Sequence, residues 1–238
     1  MQPVVLVVAL FATTVSGQFV SHTKLSAQAA DYAVKNTQLA QNNPAVCLTG
    51  QLKRCNSIFD DRLGFNTTLD WTNSFDLSDA IDAYADAGIE NILALCDARA
   101  VFYQCLGAQY ASCVSLYNLL NDDDATPASA YNYVQTWHSL DFLCNAGFEE
   151  ALNQFQCMKY IPKGSDDYDN CLSTFSYELN QDPTQFCQSV DRTAQCLNGA
   201  YAKGCSTTDP RGAGWFGCEN FRQSFEETCW ETTRCYVH

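Results

Sequence analysis

The chain has little positive charge: 13 Lys and Arg stand against 27 Asp and Glu, for a net charge of −14 over 238 residues. That balance excludes nucleic acid and anionic membrane as partners held by electrostatics, and leaves cations, mineral surfaces and basic proteins. Long hydrophobic runs are also missing. The longest, at residues 4–12, is nine residues, too short to span a bilayer. Strand-like runs of Val and Ile occur nowhere else, which argues against a sheet. Histidine is confined to His22, His138 and His238. No G-x-S-x-G, H-E-x-x-H, P-loop or dinucleotide fingerprint is present, so the usual hydrolase and nucleotide chemistries have no anchor. Close cysteine pairs of the C-x2-C kind, which zinc sites need, are absent too; the tightest spacing is Cys229 to Cys235.

What the chain does have is cysteine, 14 in all. The apolar run at its start precedes Val15 and Gly17, small residues at minus three and minus one of a cut before Gln18, so residues 1–17 read as a secretory signal peptide. An even cysteine count in a secreted chain reads as a disulfide framework of seven bridges. Its members are Cys47, Cys55, Cys96, Cys105, Cys113, Cys144, Cys157, Cys171, Cys187, Cys196, Cys205, Cys218, Cys229 and Cys235. Asn66-Thr67-Thr68 is an N-glycosylation sequon in a segment that reads as a loop.

Periodicity is helical nearly throughout. Asn43-Pro44, Thr126-Pro127 and Asp182-Pro183 each pair a capping residue with Pro at the first helical position. Leu48, Leu52, Cys55, Phe59 and Leu63 recur at three- and four-residue steps before Gly64. A helix opening at Asp76 carries Ile81, Tyr84, Gly88, Ile92 and Leu95. It is expected to continue with Cys96, Tyr103, Leu106, Tyr110, Cys113, Tyr117 and Leu120 on one face, up to the turn at 121–127. Further helical patterns cover 127–144, 148–160, 166–180, 183–203 and 215–234, with 205–214 as a loop.

The motif CLGAQYASC (105–113) has echoes in CLTGQLKRC (47–55) and CLNGAYAKGC (196–205). Aligning Cys96 with Cys187 also aligns Cys105 with Cys196, Leu106 with Leu197 and Tyr110 with Tyr201. Two six-cysteine blocks result, 96 to 171 and 187 to 235, with Cys47 and Cys55 as a partial first copy. Residues eight or nine apart on a helix are separated by roughly 12–13.5 Å, beyond the roughly 7 Å that a disulfide tolerates. Cys105 and Cys113 must therefore bridge to different partners, as must Cys196 and Cys205. The partners expected are Cys144 or Cys157 for the first block and Cys218 or Cys229 for the second, with equivalent positions pairing equivalently. Connectivity within six cysteines is one of about fifteen.

Asp122, Asp123 and Asp124 in one loop, and Asp166, Asp167 and Asp169 at a helix start, are the candidates for weak calcium contact, although no EF-hand template fits. Asp79, Asp82, Asp86 and Glu90 read as a solvated helix face. His138 and Asp141, three apart on a helix, can touch. Phe102, Tyr103, Trp137, Phe142, Phe148 and Phe155 are the aromatics available to line a ligand cavity.

Repeated cysteines eight or nine apart on helices, as in CLGAQYASC and CLNGAYAKGC, resemble the secreted cysteine-rich helical domains of unknown function found in nematodes. The Asp-rich, motif-free character is similar to that of uncharacterised mollusc shell-matrix proteins. Neither resemblance supplies functional residues. The expectation is an all-α, disulfide-stapled bundle of about eight helices with a degenerate internal repeat. Its segments are a signal peptide (1–17), an N-terminal helical segment (18–90), a six-cysteine block (91–181) and a shorter one (182–238). The expected function is that of a secreted, non-enzymatic, acidic glycoprotein without catalytic residues, metal centre or cofactor. It would be a structural or binding component of an extracellular material, associated with calcium or mineral; the alternative is an extracellular carrier of a small hydrophobic ligand.

Overall fold

The computed structural model describes residues 19–21, 23–37, 46–65, 69–121, 124–161, 165–232 and 234–236. Among them, eight helices run ten residues or longer: α1 (Ala27–Asn36), α2 (Thr49–Leu63), α3 (Ser74–Asp86), α4 (Ile89–Leu106), α5 (Pro127–Leu143), α6 (Asp166–Gln181), α7 (Phe186–Gly204) and α8 (Pro210–Ser224). No strand occurs among the described residues. The expected signal peptide, Asn43-Pro44 and the Asn66 sequon lie outside them.

Local chemistry accounts for the helix ends. Thr126 and Ser129 form a reciprocal capping box with Pro127 at the first position of α5. Ser165 accepts from the Tyr168 N–H at the start of α6, and Asp209 accepts from Arg211 and Gly212 at the start of α8. The segment 205–214, expected as a loop, therefore contributes its second half to a helix. Gly64 closes α2 in the left-handed conformation, φ 72°. Asp182 caps only a single 3-10 turn, Pro183–Gln185, before α7 begins.

The long helix expected from Asp76 to Leu120 is broken twice. It stops at Asp86 and restarts after Gly88, then stops again at Gly107, whose φ of 53° and ψ of −127° suit no side-chain-bearing residue. Two short helical turns follow, Tyr110–Cys113 and Leu116–Leu119. Tyr103 and Tyr117 are 47% and 51% exposed: the buried stripe of α4 runs through Phe102 beside Tyr103, and Tyr117 lies past the break. At the other end, α8 stops at Ser224, and residues 225–232 are turns where helix was expected.

All seven bridges form, with Cα atoms 4.8–6.0 Å apart, and no thiol is left free. Cys105 pairs with Cys55 and Cys113 with Cys47; Cys196 pairs with Cys171 and Cys205 with Cys157. Neighbours within a motif do take different partners, but the partners precede the motif. Cys144 and Cys229 instead take Cys96 and Cys187. The cause is packing: α2 lies antiparallel to α4, and α6 to α7, so cysteines ascending one helix meet cysteines descending the other.

The bridges regroup the cysteines into two equal sets, 47, 55, 96, 105, 113, 144 and 157, 171, 187, 196, 205, 229, each joined first to fifth, second to fourth and third to sixth. Cys47 and Cys55 open the first set, and the pairs from 47, 55, 157 and 171 cross the boundaries at 90/91 and 181/182. Helices follow the same grouping. In α2 the buried stripe is Leu52, Cys55, Phe59, Leu63; in α6 it is Tyr168, Cys171, Phe175, Leu179, at identical spacing. Helices α2, α4 and α5 thus correspond to α6, α7 and α8, with α3 inserted in the first unit.

The two units share one core, joined where α5 packs on α8. Trp137 of α5 stacks on Phe102 of α4 with ring centroids 3.8 Å apart. Burying each such side chain contributes about 1.5–3 kcal/mol. The α7–α8 approach requires glycine: a Cβ on Gly217 would lie 2.5 Å from the Tyr201 ring. Before α1, residues 19–21 pass between α5 and α8. The Phe19 ring stacks on Phe155, its carbonyl accepts from Asn220 Nδ2 at 2.8 Å, and the Ser21 N–H donates to Ser139 Oγ at 2.7 Å.

Candidate functional site

The seventh bridge, Cys218–Cys235, has no counterpart in the first unit. Together with Cys187–Cys229 it holds the segment 229–235 at both ends, one end to α7 and the other to α8. That segment presents Trp230, 59% exposed, with Tyr236, 61% exposed, just beyond it. Exposed Tyr rings occur elsewhere, at Tyr160 and Tyr177 among others, but Trp230 is the one exposed Trp among the described residues.

Trp230 stands between two clefts. One, about 430 Å³, is walled by Cys187, Asp191, Arg192 and Glu231. The other, about 450 Å³, is walled by Trp215, Glu219, Arg222, Gln223, Glu226, Arg234 and Tyr236. Both volumes fall in the range of small-molecule sites. The floor of the second cleft is a row of planar polar groups on α8 and the turn after it. Arg222 donates through Nε to Glu219 Oε2 at 2.9 Å, and Glu219 Oε1 accepts the Cys235 N–H at 2.9 Å. Gln223, with its amide oxygen toward the guanidinium, accepts from Arg222 and donates to Glu226 Oε2, each at 2.6 Å. The Arg222–Glu219 pair is nearly buried, with side chains 9% exposed, and both charges are matched. The arrangement offers two aromatic faces beside a row of fixed donors and acceptors. That is the equipment of a binding surface.

The described calcium candidates form no metal-holding group. Asp122 and Asp123 lie outside the described residues, and Asp124 sits in an exposed turn. Asp166, Asp167 and Asp169 occupy the first turn of α6, where the helix dipole favours them, and Asp167 pairs with Lys203. Among the described residues no group of three His, Cys, Asp or Glu side chains is placed to hold a metal.

The face expected to be solvated is so only at its ends, Asp79 and Glu90. Asp82 and Asp86 are buried, while Asp79 stays exposed and pairs with Lys24. Burial, with the Asp82 carboxylate adding to it, pushes the Tyr168 and Tyr201 phenols well above their ordinary pKa. Asp60 on α2 is fully buried and neither carboxylate oxygen has a hydrogen-bond partner. Burial first, then the nearby Asp70 and Asp61, push its carboxyl up to about 7. His138 and Asp141 do not form a dyad. Asp141 turns to Arg99 Nε (2.6 Å) and the Tyr110 hydroxyl (2.7 Å), tying α5 to α4, while burial pushes the Glu227 carboxyl up, offset first by the Leu116 N–H and then by His138.

Of the candidate cavity aromatics, Phe148 is half-buried against the core and four others pack ring on ring. Phe102 stacks on Trp137, Phe155 on Phe19, and Phe142 contacts Trp215 and Phe216. Tyr103 lies outside with Arg99 over its ring. Sequence reasoning missed Trp230, Tyr236 and the α8 polar row. The one signal for them was C-W-E-T-T-R-C-Y (229–236), in which each cysteine of a tight spacing is followed by an aromatic residue.

No family model, curated protein or solved structure matches the chain. Seven bridges with no free thiol are the mark of a disulfide-rich extracellular protein. Among the described residues no helix is long and apolar enough to cross a membrane.

Proposed function

We propose that the chain is a non-catalytic extracellular protein that binds a component of the surrounding material through the clasped segment 229–236. One observation carries this reading: the bridge with no partner in the internal repeat closes the segment that exposes Trp230, with Tyr236 just beyond it. A bridge that merely added stability could sit anywhere. This one fixes a Trp in water, where a pre-organised ring loses little entropy on binding. Trp and Tyr are also the residues that dominate binding energy when they are buried by a partner. The rest of the molecule then serves as a rigid scaffold. Its net charge of −14 keeps it apart from other acidic molecules and favours cationic or mineral surroundings.

Adsorption of the oxidised full-length protein to chitin, cellulose, collagen and calcium carbonate tests the reading, with Trp230→Ala alongside. Retention on at least one material, lost with Trp230→Ala, is the expected result. Equal behaviour of the two proteins on every surface would overturn it.

A further inference from the structure

We propose that the Trp230 ridge and its two clefts bind a neutral pyranose chain, a class of ligand that deepens the binding reading above and rests on it. The argument begins with the kind of surface a pyranose presents. Its ring carries a flat patch of axial C–H groups, which seat on the electron-rich face of an indole or phenol. Its edge carries adjacent hydroxyls, each both donor and acceptor, which pair with planar side chains that offer two atoms at a time. The cleft beside Trp230 provides both. Trp230 and Tyr236 supply exposed rings, and Trp215 adds a half-buried one. Glu219, Arg222, Gln223 and Glu226 supply carboxylate, guanidinium and amide planes already locked to one another. Their side chains hydrogen-bond among themselves, so little rotamer freedom remains to be lost on binding.

Charge decides which saccharide. In this cleft two Glu side chains face two Arg side chains, Glu219 and Glu226 against Arg222 and Arg234, so the lining is balanced. The whole chain is strongly negative. A sulfated or uronic-acid polymer would be repelled at long range and would find the buried guanidinium, Arg222, already paired with Glu219. A neutral hexose or N-acetylhexosamine chain meets neither obstacle. Shape decides that the ligand is a chain. Clefts of about 430 and 450 Å³ adjoin each other, with Trp230 and Thr232 lining both. A polymer crossing the ridge places successive sugars in both, which a single sugar cannot do.

The test uses the oxidised full-length protein with chitohexaose and cellohexaose as probes, followed by calorimetry and by tryptophan fluorescence. Saturable binding to at least one hexaose is expected. Trp230→Ala and Tyr236→Ala should each weaken it about tenfold or more, equivalent to about 1.4 kcal/mol, with Trp230→Phe recovering part of the loss. Thermal midpoints of all three variants should match the parent, because the rings are exposed. Absence of hexaose binding, or binding unchanged in Trp230→Ala and Tyr236→Ala, overturns the saccharide assignment. If in that case Trp230-dependent retention persists on collagen or calcium carbonate, the ligand class falls and the binding reading stands. If no material is retained through Trp230, both fall.

Discussion

The two bridged units have the same connectivity and different helices. In the second unit α7 runs unbroken from Phe186 to Gly204 and carries Cys187 and Cys196, with Cys205 at its cap. In the first, α4 stops at Leu106, Gly107 turns the chain, and Cys113 sits on a separate helical turn. Yet Cys113 meets Cys47 as Cys205 meets Cys157. The bridges are therefore set by antiparallel packing of the first helix on the second, and continuity of the second helix is not required. The units also differ at their ends. The second alone has the clasp that exposes Trp230, which separates the shared scaffold from the part that gives this chain its surface chemistry.

The most disruptive way to challenge the equivalence is to remove matching bridges. Replacing both cysteines of Cys55–Cys105, or both of Cys171–Cys196, by Ala should cost about 2–5 kcal/mol each in denaturant unfolding. The sequence separations are 50 and 25, one doubling, so the first should cost about 0.6 kcal/mol more. A gap of several kcal/mol would mean that the matched pairs do unlike jobs.

A second difference lies in α2, where Asp60 occupies the position that Ser176 has in α6. Only the first unit buries a carboxyl there, with a pKa pushed up to about 7. The unfolded chain gives up that proton near pH 4 and the folded chain holds it to about pH 7. Stability contributed at low pH is thus lost as pH rises from about 4 to 7, and the loss is complete above that. Asp60→Asn should raise stability at pH 8 by at most roughly 4 kcal/mol and change it little at pH 4. Thermal melts at the two pH values measure this; an equal shift at both would remove Asp60 as the titrating group.

Gly107 and Gly199 lie two and three residues past matching cysteines and should respond with opposite signs. Gly107→Ala forces a side chain into a glycine-only conformation and should cost about 1–3 kcal/mol. Gly199 is inside α7 with nothing within 4 Å of an added Cβ, so Gly199→Ala should gain up to about 1 kcal/mol. Unfolding midpoints decide, and a loss at both sites would show that α7 also needs its glycine.

The smallest effect belongs to the exposed acids. Changing Asp166, Asp167 and Asp169 together to Asn removes the Lys203 pair and should shift stability by less than about 1 kcal/mol. A calcium-induced rise in melting temperature that disappears in this variant would give the start of α6 a cation-binding role that the start of α2 lacks.

Much of this was readable in the chain itself. Helical period, the cap at Thr126 and the terminator Gly64 are local properties, expressed within one or two turns. The rule that Cys105 and Cys113 take different partners follows from helical rise alone. The partners themselves did not follow, because they depend on which helix lies alongside which. The burial of Asp60, Asp82 and Asp86 escaped for the same reason: a carboxylate three or four residues from the next looks the same on a wet face and a dry one.

The sequence by itself determined the helices, the disulfide class and the acidic charge, since each is a sum over residues or a pattern a few residues long. Only the tertiary structure decided the pairing of the bridges and the exposure of Trp230. Both arise from where helices distant in sequence come to rest against one another.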